Sequence, residues 1–366
     1  MFYGRQRELK ELRVDISRAG LDTLAGRKAP RARVLLVAGR PGSGRTALAE
    51  ELVRDLARGY RDGVLRARLS EPGGEPVPVE RVAWQLLEDL GVDAPAGACA
   101  DDLSDRLRDA LHARRVLLLL DDAADAEQVD ALLPDNPACL VVAVAHGPLT
   151  GIPDVRPCTV GGLDVKSAIE LLDGYAGSVR ITVDPQAAES LVELCGGQPA
   201  ALVLAGGWLA ARPTASVADL AKRLRSLPDE DAPRPAALRP LARAFQLAYE
   251  GLPAPGARAL RLLALAPLGV ADAQTLSALA GCSVSTAAAL LDGFAAFGFV
   301  REAPHGRYEV PGCLVPFLRE RLAAEDRAGE VQLARARMLE RTVRLLQSCR
   351  AVTEPEGSAA RRRLAG

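Results

Sequence analysis

Apolar and polar positions follow two patterns along the chain. Over the first 150 residues, short and largely apolar runs alternate with stretches in which apolar residues recur every three or four positions. Val34 to Ala38, Val64 to Leu69, Val116 to Leu120 and Leu140 to Ala145 have strand length, with Gly39 closing the first and Asp121–Asp122 the third. The stretches between them predict helices. Leu48, Leu52, Val53 and Leu56 share a face over Thr46 to Ala57, Val82, Leu86, Leu87 and Leu90 share another, and Leu103, Leu107 and Leu111 a third. Trp84 and Trp208 also sit on helical apolar faces and read as core. Apolar strands separated by helices predict a parallel sheet covered on both faces.

Beyond Pro153 the pattern changes. Only helices are expected from Leu163 to Leu227, interrupted by Gly196-Gly197-Gln198-Pro199. Four prolines and a charge cluster make Pro228 to Pro240 a linker. Short helices follow from Leu241 to Leu291. Gly298-Phe299-Val300-Arg301 and Arg307-Tyr308-Glu309-Val310 then flank a turn and predict a small hairpin, so the segment reads as a winged helix. Leu314 to Cys349 is helical, and the last residues are expected to fray. The expected divisions are 1–153, an α/β P-loop domain; 154–233, an all-helical subdomain; 234–320, a winged-helix subdomain; and 321–366, a helical extension and tail.

Composition narrows the function classes. At about 150 residues per domain, 366 residues make two or three domains. With 46 basic against 47 acidic residues, there is no global electrostatic footprint for nucleic acid or an anionic membrane. No apolar run reaches the roughly 18 residues of a spanning helix, and the N-terminus does not read as a signal peptide. Seven cysteines without a CxxC pair read as buried thiols of a reducing cytoplasm, and three histidines leave little for metal ligation.

The chemistry concentrates in Gly39-Arg40-Pro41-Gly42-Ser43-Gly44-Arg45-Thr46, which fits the GxxxxGK[ST] phosphate loop at every position but one. The glycines let the backbone turn its N–H groups onto a phosphate, and the following helix, starting through Thr46 and Ala47, adds its N-terminal dipole. Thr46 is placed to bind Mg²⁺. Arg45 stands where the motif has lysine; its guanidinium is planar and broader than an ammonium. About 75 residues on, Leu117 to Asp122 matches the strand carrying the magnesium carboxylate. Asp121 would hold Mg²⁺ with Thr46, and Asp122 would orient or deprotonate an attacking water.

With these residues the chain resembles the NB-ARC switch of STAND-class P-loop ATPases, and more closely the version in actinobacterial antibiotic-regulator activators. The resemblance runs from Phe2 to about Arg321. Phe2-Tyr3-Gly4-Arg5 with Glu8-Leu9 is similar to the family's FxGRxxEL entry, which implies that Tyr3 and Arg5 lie near the adenine. Asp62-Gly63-Val64-Leu65, Gly74-Glu75-Pro76-Val77 and Leu120-Asp121-Asp122 through Gln128-Val129 to Leu132-Leu133-Pro134 follow in order. Gly196-Gly197-Gln198-Pro199-Ala200-Ala201-Leu202 resembles GLPLAL, implying that Pro199 touches the base or ribose. Ala244-Phe245-Gln246-Leu247-Ala248-Tyr249 with Leu252-Pro253 resembles SYxxLP. The family layout implies ADP or ATP with Mg²⁺ between the subdomains, an opening on exchange, and a nucleotide-dependent assembly. It also implies as partners the effector and sensor domains that flank such a module, or a separate protein.

Three positions depart from that family. Arg45 replaces lysine; His146 follows the fourth strand where an arginine senses the γ-phosphate; and Val310-Pro311-Gly312-Cys313 replaces a His-Asp pair. The expectation is a nucleotide-binding regulatory switch with weak or no hydrolysis. A second reading is a nucleotide-independent scaffold for protein partners. A third, a DNA-binding winged helix, has against it that Ser283 to Phe297 contains no lysine or arginine. Direct DNA contact is therefore not expected. Arg361-Arg362-Arg363 reads as a solvated terminus.

Overall fold

The computed structural model describes residues 2–24, 31–95, 97–153, 155–227 and 234–353. Part of the predicted linker, 228–233, and the arginine-rich tail lie outside them. The chain divides into two compact units, Met1–Ala244 and Phe245–Gly366.

The first unit opens with α1 (Gln6–Leu24), β1 (Arg33–Gly39), α2 (Arg45–Leu56), β2 (Val64–Arg68), α3 (Val79–Asp89) and α4 (Ala100–Leu111). It continues through β3 (Leu117–Ala123), α5 (Ala126–Asp130), β4 (Leu140–Ala145) and β5 (Val155–Val160). The five strands form one parallel sheet in the order β2-β3-β4-β1-β5. Alternation along each strand explains the uniformly apolar runs. Val34 and Leu36 of β1, Leu118 and Leu120 of β3, and Val141 and Ala143 of β4 face a core with Val82, Leu86, Leu103 and Leu107. Leu35 and Val37, Leu117 and Leu119, and Val142 and Val144 face the opposite core, with Leu9, Leu12, Leu48 and Leu52.

Two features differ from expectation. Strand β5 lies beyond the expected boundary at 153, where no strand is foreseen. Trp84 is 46% exposed, because the buried stripe of α3 runs through Val82, Ala83, Leu86 and Leu87 and Trp84 falls outside it. Trp208 is buried, as expected.

Among the described residues five further helices follow in this unit: α6 (Val165–Ala176), α7 (Ser178–Val183), α8 (Pro185–Leu194), α9 (Pro199–Ala210) and α10 (Val217–Ser226). Asp164, Asp184 and Ser216 cap α6, α8 and α10 by accepting from the third backbone amide, while Pro185 and Pro199 sit at first-turn positions where no amide is missed. Helix α9 is apolar on nearly all sides and packs against α6 so closely that a Cβ at Gly206 would come within 2.7 Å of Tyr175 Cβ.

Helix α11 (Arg239–Glu250) runs across the division. The second unit contains α12 (Ala254–Leu262), β6 (Val270–Ala271), α13 (Ala273–Ala280), α14 (Val284–Phe297), β7 (Arg301–Ala303), β8 (Arg307–Glu309), α15 (Val315–Glu325) and α16 (Ala328–Thr353). The predicted hairpin is present, and β6 pairs with β8 to give an antiparallel sheet β6-β8-β7. Phe245 centres the core, with Phe317 stacked at 5.2 Å and Phe299 edge-on at 6.0 Å. Buried Arg261 donates to Asp326 and Glu325 at 2.5 and 2.6 Å and to Tyr249 Oη. The buried-thiol expectation holds for Cys139, Cys158 and Cys195, whereas Cys99 and Cys349 are exposed. Among the described residues no single helix is long and apolar enough to cross a membrane.

Candidate functional site

The site forms at the C-terminal edge of the parallel sheet. Strand β1 ends at Gly39, where a Cβ would come within 2.6 Å of the Val160 carbonyl of β5. Residues 40–44 then turn back, with Ser43 N–H donating to Arg40 O at 3.2 Å and Gly42 and Gly44 at φ +78° and +88°. Gly44 is the N-cap of α2 and supplies no side-chain cap. The first amides of α2, at Arg45, Thr46 and Ala47, have no acceptor within the helix by construction. Such a turn at a helix N-terminus is an anion cradle. Pro41 and Gly42 are half-buried in the turn and Ala47 is exposed.

Residues from two other segments, the start of α9 and the entry segment, hold the loop from outside. Ala200 N–H at the start of α9 donates to Gly42 O at 3.1 Å, and Pro199 Cγ lies 3.5 Å from where a Gly44 Cβ would be. Arg5 is buried and donates to Ser43 O at 3.0 Å, to Gly161 O at 2.6 Å, to Gly162 O at 3.3 Å and to Glu8 at 2.9 Å. Its guanidinium therefore ties the entry segment, the phosphate loop and the β5–α6 connection together. The hydroxyl of Tyr3 lies over Gly174 of α6, where a Cβ would come within 2.5 Å of it. The Gly42 and Ser43 carbonyls are thus engaged from outside the loop.

The two acids at the end of β3 have different environments. Thr46 Oγ1 donates to Asp121 Oδ1 at 3.0 Å. Burial raises the Asp121 carboxyl above the ordinary carboxylate range, with the Thr46 hydroxyl acting in the opposite direction. Asp122 has φ +58°, and the register of β3 on β4 breaks between Leu120 and Ala123. The Ser70 hydroxyl donates to the Asp122 carbonyl at 2.7 Å. Asp122 Oδ1 consequently faces His146 Nε2 at 3.4 Å and Arg45 Nη2 at 3.6 Å. The hydrogen bond and charge of His146, and then the Arg45 and Arg68 charges, outweigh burial and hold the Asp122 carboxyl below its usual range. Arg45 Nη2 is also 3.5 Å from His146 Nε2. One nitrogen cannot donate to Asp122 and accept from Arg45 at once, so the tautomer with Nε2–H satisfies Asp122 and leaves Arg45 beside it.

The residue types fit a nucleotide phosphate and a hard divalent cation. Ser43 Oγ is buried beside Gly39 with no hydrogen-bond partner. Thr46 and Asp121 provide a hydroxyl and a carboxylate already 3.0 Å apart. Among the described residues there is no cluster of three or more His, Cys, Asp or Glu able to hold a metal ion. Mg²⁺ commonly takes one or two protein oxygens and completes its shell with phosphate and water. The loop, Thr46, Asp121, Asp122, His146 and Pro199 thus come together around one sheet edge. The contact of Asp122 with both Arg45 and His146 is not foreseen from the sequence, nor is the use of Arg5 on backbone carbonyls.

An AAA domain family model matches residues 29–135. Regulatory protein AfsR of Streptomyces coelicolor is 30% identical over 348 residues, covering 93% of this chain and 34% of that protein. The AfsR protein of Streptomyces griseus is 30% identical over 283 residues, or 75% of this chain and 28% of that protein. A signal transduction ATPase with numerous domains (STAND) from Pyrococcus horikoshii, with a tetratricopeptide repeat sensor, shares the fold. It superposes with a TM-score of 0.57 at 16% identity, over 96% of this chain and 50% of that one. The chain shares a P-loop fold with that protein. It is similar to the two AfsR regulatory proteins and spans about a third of the length of these curated relatives. The P-loop fold and the regulatory relatives together support a nucleotide-binding regulatory module.

Proposed function

We propose that this module binds ADP or ATP with Mg²⁺ and works as a regulatory switch in the bacterial cytoplasm, with little or no hydrolysis. The observation that carries the reading is the pairing of an intact loop and Thr46–Asp121 contact with a second acid already engaged by His146 and Arg45. Bound nucleotide would bring the phosphates, and Mg²⁺ would neutralise part of their charge. The loop amides, that of Ser43 apart since it donates to Arg40 O, cradle the anion, and Thr46 and Asp121 present the two oxygen ligands. Asp122, its carboxylate directed at two donors, is poorly disposed to take a proton from water. Pro199 and Ala200 report on the loop to the helical part of the unit. We further propose that the second unit is a winged helix followed by a helical extension. Its α14 carries no cation, so direct DNA contact is not part of the reading.

The test is to denature freshly purified protein, identify released nucleotide by chromatography and determine its stoichiometry. Near-unit ADP or ATP is expected, with ATP indicating binding without turnover. An empty protein that also fails to bind ADP or ATP by calorimetry would overturn the reading. Magnesium-dependent hydrolysis abolished by Asp121→Ala and Asp122→Ala would overturn the claim of little turnover. A second reading, a protein-interaction scaffold, has in its favour the exposed Leu333, Leu339, Leu345 and Leu346 on α16.

A further inference from the structure

Asp122 reaches Arg45 because of its own backbone. A positive φ is uncommon for a residue with a Cβ, and here it coincides with an irregularity in the β3–β4 register and with a hydrogen bond from Ser70 to the Asp122 carbonyl. Irregularities of this kind re-aim side chains next to functional sites. Without it, alternation along β3 would send Asp121 and Asp122 to opposite faces of the sheet. With it, three elements converge: the first residue of α2, the end of β3 and the residue following β4. Arg45 is 8% exposed, and the acid it faces is fixed by main-chain geometry and not by a flexible stem.

An anion entering the loop and the Asp122 carboxylate make the same demand on the same cation. A guanidinium already directed at a carboxylate has part of its field committed, and the carboxylate repels the newcomer. His146 enters with the opposite sign. Its Nε2–H supplies Asp122 with a donor that does not come from Arg45.

We propose that Asp122 is a positioning residue which competes with nucleotide phosphate for Arg45, forming a latch that His146 weakens by sharing the carboxylate. The proposal rests on the nucleotide-binding reading and deepens it. Arg45 in place of the customary lysine gives the latch its width, since the planar fork can swing between carboxylate and phosphate while its stem stays in place. The latch sets how tightly nucleotide is held and how readily it is exchanged. It makes the second acid a regulator of affinity.

Calorimetry with ADP on the full chain, with and without Mg²⁺, tests this. Asp122→Asn is expected to bind ADP about tenfold tighter than the wild type, the scale of removing one charge contact in a partly desolvated site. His146→Ala is expected to bind about threefold weaker, because Asp122 then draws on Arg45 more strongly, with only the charge of Arg68 to share it. Loss of a negative charge near the phosphates could tighten binding without any latch, so Asp122→Asn is repeated in an Arg45→Gln background. The latch requires the gain to vanish there, whereas simple repulsion preserves it. If Arg45→Gln binds too weakly to measure, the same cycle is read by urea unfolding without nucleotide. There the latch requires the two substitutions to be non-additive by about threefold or more in the unfolding constant. Additivity in that cycle, an Asp122→Asn affinity no tighter than wild type, or a gain that persists without Arg45 would overturn the latch. Failure of both the wild type and Asp122→Asn to bind ADP or ATP would defeat the nucleotide-binding reading itself, whereas wild-type binding without a gain defeats the latch alone.

Discussion

Two buried arginines, one in each unit, are held in different ways. Arg261 donates to Asp326 and Glu325 at 2.5 and 2.6 Å, and the Asp326 side chain is only 2% exposed. Arg45 faces Asp122 at 3.6 Å and His146 at 3.5 Å, and both of those partners are partly open to water. Short charge-assisted bonds, one of them to the desolvated Asp326 and the other to the more open Glu325, fix a side chain in one place. Contacts near 3.5 Å with hydrated partners orient it and let it change partner at small cost. Arg5 stands between them, with three backbone carbonyls and Glu8 around one guanidinium. Burial alone therefore does not separate an arginine that holds the fold from one that serves a ligand; the length and hydration of its contacts do.

Substitution should rank the three. Arg261→Ala is expected to destabilise the second unit by about 3–5 kcal/mol, since it leaves Asp326 buried beside a weakened network. Urea unfolding followed by circular dichroism checks this, and a loss under about 1 kcal/mol would erase the contrast. Arg5→Ala should cost the first unit about 2–3 kcal/mol through the stranded carbonyls and Glu8, and Arg5→Lys should recover only part, having no planar fork. Arg45→Ala should cost about 1 kcal/mol or less in the same measurement while weakening ADP binding, because Asp122 and His146 are partly hydrated. An Arg45→Ala protein as destabilised as Arg261→Ala would mark Arg45 as a fold-holding arginine.

Legibility in the sequence follows the same division. Strands β1, β3 and β4 are readable because they are covered on both faces and need apolar residues at every position. Strand β5 is not, because at the sheet edge it buries only Cys158 and Val160 and carries Arg156, Pro157 and Thr159 outward. The two-residue β6 is too short to leave a pattern. In the site, the loop glycines, Thr46 and Asp121 are visible because a phosphate cradle constrains residue type at fixed spacing, and the Thr46–Asp121 contact follows from the parallel sheet. The Asp122 contacts depend on a positive φ and a local register shift, and no residue type in the stretch announces either. Trp84 misled because periodicity counts apolar residues without fixing the centre of the stripe.

The hydrogen bond from Ala200 to Gly42 has a consequence for dynamics. As a first-turn amide of α9, Ala200 N–H has no acceptor inside its own helix, so its shielding comes from a carbonyl of the phosphate loop. Its deuterium uptake is therefore a local gauge of how often the start of α9 lifts away from the loop, distinct from helix fraying or global unfolding. A single peptide group thus serves as a counter of that local separation, already built into the backbone and read by hydrogen exchange alone.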